Sequence, residues 1–143
     1  MKHLLLTTIV AVVLVGCGSH YDLETADTPA NRKGFESHFS FAPDKNVTNV
    51  YYYADEFGAD VRYQLSFHSN KTTVDSIISK LSLKSVPKDY ADQLLDPRDD
   101  LLWWKPDSTN NRNLWIKENE NEYYWQLWYS EKDGKAFYLE YSV

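Results

Sequence analysis

The fold is decided by Tyr123-Tyr124-Trp125-Gln126-Leu127-Trp128-Tyr129-Ser130, the turn residues Glu131-Lys132-Asp133-Gly134, and the run from Lys135 through Ala136-Phe137-Tyr138-Leu139-Glu140-Tyr141-Ser142 to Val143. Aromatic residues dominate both runs and Asp133-Gly134 separates them, the composition of two strands joined by a hairpin. Loop length sets their register. A two-residue Asp133-Gly134 loop would place Tyr129 opposite Tyr138 and Leu127 opposite Glu140. A three-residue loop, Lys132 to Gly134, places Tyr129 opposite Phe137, Leu127 opposite Leu139, Trp125 opposite Tyr141 and Tyr123 opposite Val143. That register makes one face wholly apolar, and a slip of one residue would mix polar side chains into it. It also gives Gly134 the left-handed position of a bulge. The three-residue loop is the expected one. Tyr124, Trp128 and Tyr138 then share the opposite face with Gln126, Glu140 and Ser142.

Working back toward the N-terminus, Asn113 to Lys117 reads as a short strand and Glu118 to Glu122 as the turn after it. Asp107 to Asn111 is a polar loop. Trp103-Trp104-Lys105-Pro106 is not helical, because Lys105 precedes proline. From Asp60 to Ser69 the pattern alternates: Val61, Tyr63, Leu65 and Phe67 face one way, Arg62, Gln64, Ser66 and His68 the other. With the β-rich stretch Val47 to Ala54 and a loop at Gly58, this makes a second hairpin. Phe35, Phe39 and Phe41, with His38 and Ser40 between them, suggest one more short strand.

Helical spacing appears between the two halves. Val74, Ile77, Ile78 and Leu81 form one apolar stripe, which predicts an amphipathic helix over about 72–83. Thr72 is its expected N-cap, with Asp75 three residues on as in a capping box. A shorter helix is expected over about 87–95, with Pro87 in its first turn, Tyr90 and Leu94 turned inward, and Asp96-Pro97 ending it. Connections are short and no β-helix-β spacing points to a parallel sheet. The predicted class is α+β: an antiparallel sheet with the helices packed on one face.

The remaining sequence is a leader and a polar stretch. Of the twelve residues from Leu4 to Val15, ten are apolar; Lys2 precedes them and Gly16-Cys17 follows. Twelve helical residues span only about 18 Å, too short for a hydrocarbon core of about 30 Å. This is the build of a cleaved export signal over residues 1–16. The segment Leu14-Val15-Gly16-Cys17 resembles the lipobox of bacterial lipoprotein precursors. The resemblance covers the leader alone. It implies cleavage before Cys17, a thioether-linked diacylglycerol on its sulfur, and further acylation of the new amino group. Two or more acyl chains anchor a protein stably, whereas one does so marginally. By the same resemblance, Gly18 rather than Asp after the cysteine favours an outer membrane in a cell with two. Residues 17–34 are then expected to be the lipidated cysteine and a flexible tether, and 35–143 a single domain.

Composition narrows the function. The chain has 143 residues, 25% of them charged, and a net charge of −6. Loss of Lys2 with the leader makes the mature charge −7. An acidic domain argues against nucleic-acid binding. A single cysteine excludes an intramolecular disulfide and a cysteine-based zinc site. Only His38 and His68 lie within the domain, both at polar-face positions, so no Ser-His-Asp set stands out. The acidic groups Asp96, Asp99, Asp100 and Asp55, Glu56, Asp60 lack the spacing of a calcium loop. No metal or cofactor is expected.

All five tryptophans fall between 103 and 128. Many of these aromatics must fill a core. The face with Tyr124, Trp128 and Tyr138, together with Trp104, is either packed by loops or the short helix, or exposed as a binding face, since Tyr and Trp among polar neighbours serve as interface anchors. The expected function is a non-enzymatic envelope lipoprotein: the bilayer holds Cys17, and the domain binds another envelope protein as an inhibitor, immunity factor or assembly accessory. The alternative is a cell-wall glycan binder stacking sugars on Trp104, Trp128 or Tyr124. A carboxylate-dependent hydrolase ranks below both.

Overall fold

The computed structural model describes residues 23–58, 60–87, 90, 98–106, 112–119 and 122–142. The first element is a helix, α1 (Pro29–Phe39). Thr28 has extended backbone angles and its hydroxyl accepts the Asn31 N–H at 3.1 Å, Pro29 occupies the first turn, and Ser40 closes the helix in the left-handed region. This replaces the strand expected at Phe35 to Phe41. Positions 35 and 39 fit a helical period as well as a strand period, and the Thr28-Pro29 cap decides between them. Phe35 and Phe39 lie on the same side of the helix and are both fully buried. Helix α1 also begins inside the stretch read as tether, and its Asn31 is buried.

Two strands follow, β1 (Thr48–Phe57) and β2 (Asp60–His68), paired as the expected hairpin. Next is α2 (Lys71–Leu81), then β3 (Lys84–Val86), β4 (Arg112–Asn119), β5 (Tyr123–Ser130) and β6 (Lys135–Ser142). Helix α2 is the predicted amphipathic helix, with Val74 and Ile77 fully buried and Ile78 and Leu81 half-buried. Its cap is Asn70, not Thr72: the Asn70 side chain accepts from the Thr73 N–H at 2.9 Å and from its hydroxyl at 3.0 Å. Of the shorter helix expected over about 87–95, only Pro87 and Tyr90 are described; the rest lies outside the described residues.

The six strands form one sheet in the order β1-β2-β6-β5-β4-β3, every pair antiparallel. Both helices pack on one face, so the protein has an α+β fold. The β5–β6 register differs from the expected one. Ser130 pairs with Lys135, Tyr129 with Ala136, Leu127 with Tyr138 and Trp125 with Glu140, across a four-residue turn from Glu131 to Gly134. Gly134 does adopt the left-handed conformation, at φ 61°. The one-residue shift exchanges the faces of β6. Tyr138 and Glu140 now lie on the helix side with Leu127, while Phe137, Leu139 and Tyr141 lie on the other side with Trp128.

The helix-side core joins Phe35, Phe39, Val50, Tyr52, Leu65, Phe67, Val74, Ile77, Leu127 and Tyr138. Gly34 is what lets α1 approach β1: a Cβ there would sit 2.3 Å from Cδ1 of Tyr52. The second face has its own core of Leu101, Trp104, Leu114, Ile116, Trp128, Phe137, Leu139 and Tyr141. Residues 98–106 cover it. Gln64, buried in β2, donates its Nε2 to the Arg98 carbonyl at 3.1 Å and accepts the Arg98 N–H at its Oε1 at 3.0 Å. A buried amide has to be satisfied, and this one is satisfied by pinning the covering segment.

Candidate functional site

The four aromatic residues expected to present a binding face do not form one. Trp104 is 3% exposed, Trp128 6% and Tyr138 0%. Trp104 packs edge-on against Trp128 at 6.0 Å and Phe137 at 5.5 Å between ring centroids. Tyr138 lies on the opposite side of the sheet, edge-on to Phe39 at 4.9 Å. Tyr124 is half-buried and stacked on Tyr141 at 4.9 Å. The second face is thus closed by segment 98–106, because it is too apolar to be left wet. Cys17 and Gly18 lie outside the described residues.

A polar cluster that the sequence reading missed lies on the helix side. His38, in the last turn of α1, places Nδ1 2.7 Å from Glu140 Oε2 and Nε2 2.9 Å from the Tyr52 hydroxyl. Tyr138 donates its hydroxyl to Glu140 Oε2 at 2.7 Å, and Tyr123 donates to Oε1. The Tyr63 ring lies tilted against the imidazole, 4.6 Å between centroids, and is stacked on Tyr52 at 6.5 Å. The His38 and Glu140 side chains are only 10% and 13% exposed. Burial alone would push the Glu140 carboxyl up. The hydrogen bond and charge of His38, then the two phenol donors, outweigh it and hold the carboxyl below its ordinary value. Burial pushes the Tyr138 and Tyr123 phenols well above theirs, and the Glu140 carboxylate pushes them further.

Chemically, a carboxylate orienting an imidazole is a general-base arrangement. Here the outward nitrogen, Nε2, is already occupied by Tyr52. The cluster therefore works as a clamp joining α1 to β1, β5 and β6. Two signals for it were in the sequence. Glu140 is a lone carboxylate between Leu139 and Tyr141, and His38 sits among Phe35, Phe39 and Phe41.

His68, at one of the polar-face positions of β2, is half-buried, with Nδ1 3.2 Å from Asn49 Nδ2. Burial lowers its pKa, the Lys135 charge lowers it further, and Asp133 partly offsets both. Of the acidic groups, Asp100 pairs with Arg98, whose guanidinium holds that carboxyl below the ordinary range. Glu56 accepts from the Tyr63 hydroxyl at 2.8 Å, and Asp96 lies outside the described residues. Among the described residues, no three His, Cys, Asp or Glu side chains gather as metal ligands.

The N-terminal approach to the domain is the other built feature. The Asp27 carboxylate accepts the N–H groups of Asn49 at 2.7 Å and Val50 at 3.2 Å, and pairs with Arg32 at 3.0 Å. The Asp27 N–H donates to the Val50 carbonyl at 2.8 Å, and the Asn31 Nδ2 donates to the same carbonyl at 3.1 Å. These contacts cap the start of β1, an edge strand whose backbone would otherwise be an open template. Upstream, the Trp103 indole donates to the Leu23 carbonyl at 3.0 Å and its ring lies on Tyr51, 5.5 Å between centroids. The chain therefore straps the β1 edge, with Leu23 on the second face and α1 on the first.

Comparison with protein-family models, with curated proteins and with solved structures returns no match.

Proposed function

We propose that this chain is a lipid-anchored bacterial envelope protein whose α+β domain acts as a non-enzymatic binding module for another envelope protein. The observation that carries the reading is the leader: a short apolar run ending in Leu14-Val15-Gly16-Cys17. The strapped N-terminus supports it, because a domain fastened from Leu23 onward can be carried on a short lipidated stem. The occupied Nε2 of His38 favours a structural part for the one buried imidazole–carboxylate pair in the described residues, and so favours binding over catalysis. The acidic mature chain suits a basic partner. Intact-mass measurement of the full chain expressed in a bacterial host tests the anchor. Cleavage before Cys17 with added diacylglycerol and acyl mass is expected, and Cys17→Ser should leave an uncleaved or unanchored precursor. Correct cleavage and membrane retention of Cys17→Ser would overturn the reading. Detergent-solubilised co-purification of the anchored chain tests the binding role, which fails if no envelope protein is retained above the level of a scrambled-leader control.

A further inference from the structure

We propose that the corner made by Leu23, Tyr51, Leu102 and Trp103 docks on the same bilayer that holds acylated Cys17, with Leu102 entering the interfacial layer. This rests on the anchored reading above. Three observations place the corner there. First, from Cys17 to Leu23 is 23 − 17 = 6 residue steps. Six steps of chain reach at most about 22 Å. Leu23 is held by the Trp103 indole, so Trp103 and Leu102 cannot leave the neighbourhood of the membrane surface. Second, Leu102 is 82% exposed, the one large hydrophobic side chain left in solvent among the described residues. Trp104, two positions on, is buried, so the segment had apolar cover available and left Leu102 outside it. Third, Trp103, the next residue after Leu102 in the chain, stacks on Tyr51, and both rings are half-buried. Amphipathic rings of this kind favour the headgroup level of a bilayer, with an apolar side chain reaching further in. The anchor and the corner together make a two-point attachment. The second contact becomes effectively intramolecular once the acyl chains are inserted, so one leucine and two rings suffice where they could not recruit a free protein.

The test uses the full acylated chain in vesicles of phosphatidylethanolamine and phosphatidylglycerol. Acylation consumes the Cys17 thiol, so Leu102→Cys gives a single site for a nitroxide spin label. Lys84→Cys is the reference, because it is exposed on β3, at the far edge of the sheet from β1 and roughly 24 Å across five strand spacings. Collision with oxygen, which concentrates in lipid, is compared with collision with a water-soluble nickel chelate. The expected result is a severalfold higher oxygen-to-nickel ratio at 102 than at 84 on vesicles, and equal ratios in detergent-free solution for unacylated Cys17→Ser carrying the same labels. Equal ratios on vesicles, in a chain whose mass shows acylation, overturn the docking and leave the anchor standing. A 102 label shielded from both colliders assigns the corner to a protein contact and also overturns it. A chain whose mass shows no acylation overturns the anchored reading and the docking with it.

Discussion

His38 and Glu140 stand 102 residues apart in the chain and meet at 2.7 Å, joining the last turn of α1 to β6 inside the sheet. The contact sets the packing of α1 more specifically than apolar burial could, since the two rings of Tyr52 and Tyr138 complete the same network. Glu140→Gln keeps the shape and removes the charge. It should cost about 1.5–3 kcal/mol, the usual range for hydrogen bonds to a charged group. Urea midpoints of Glu140→Gln, His38→Asn and the double variant would check it. Additive losses would mean that the pair is not coupled.

The same carboxylate makes stability depend on acid. Its folded pKa lies below the unfolded value of about 4.3. Its contribution is therefore present above about pH 4.3 and disappears as pH falls through the lower folded value. The wild-type chain should lose stability over that window, and Glu140→Gln should lose visibly less.

Tyr138 acts at the alkaline end. Its folded pKa is raised by burial and by Glu140, so its contribution is present below the unfolded value of about 10 and is lost as pH rises toward the folded one. Phenolate absorbance from Tyr138 should appear only with unfolding. Tyr138→Phe should lower overall stability and flatten the alkaline limb of the pH profile.

Gly34→Ala drives a methyl group to 2.3 Å from the Tyr52 ring. A side chain placed where none fits typically costs about 1–3 kcal/mol. Thermal unfolding should show that loss, and Tyr52→Leu in the same chain should recover part of it by opening space. The recovery will be incomplete, because Tyr52 also bonds His38.

The strap over β1 changes where the domain can be cut. A chain beginning at residue 23 keeps Asp27 and the buried Asn31, and should unfold cooperatively. A chain beginning at residue 35 loses both, together with the first half of α1, and should be molten and dye-binding. Asp27→Ala in the full chain should speed hydrogen exchange of the Asn49 and Val50 amides, which the carboxylate holds. Unchanged exchange at those two amides would show that the carboxylate does not protect them.

Local patterns alone determined the class of fold, both hairpins and the α2 stripe, because each is written at a short period in contiguous residues. Val61, Tyr63, Leu65 and Phe67 alternate against Gln64 and Ser66, and Val74, Ile77 and Leu81 recur at helical spacing. The leader is equally local. The β5–β6 register was not readable in this way. Tyr123 to Ser130 and Ala136 to Tyr141 carry large aromatic and aliphatic side chains on both faces, interrupted by Gln126 and Glu140, since helices cover one side and residues 98–106 the other, so alternation does not by itself fix the register. Contacts distant in sequence decided it: His38 on Glu140, Phe39 against Tyr138, and Trp104 wedged against Trp128 and Phe137. The candidate aromatic face depended on that register and on cover from an irregular segment with no periodicity to read. Burial of Trp104, Trp128 and Tyr138 is thus a property of the assembled sheet, as is the meeting of Leu23 with Trp103 at its edge.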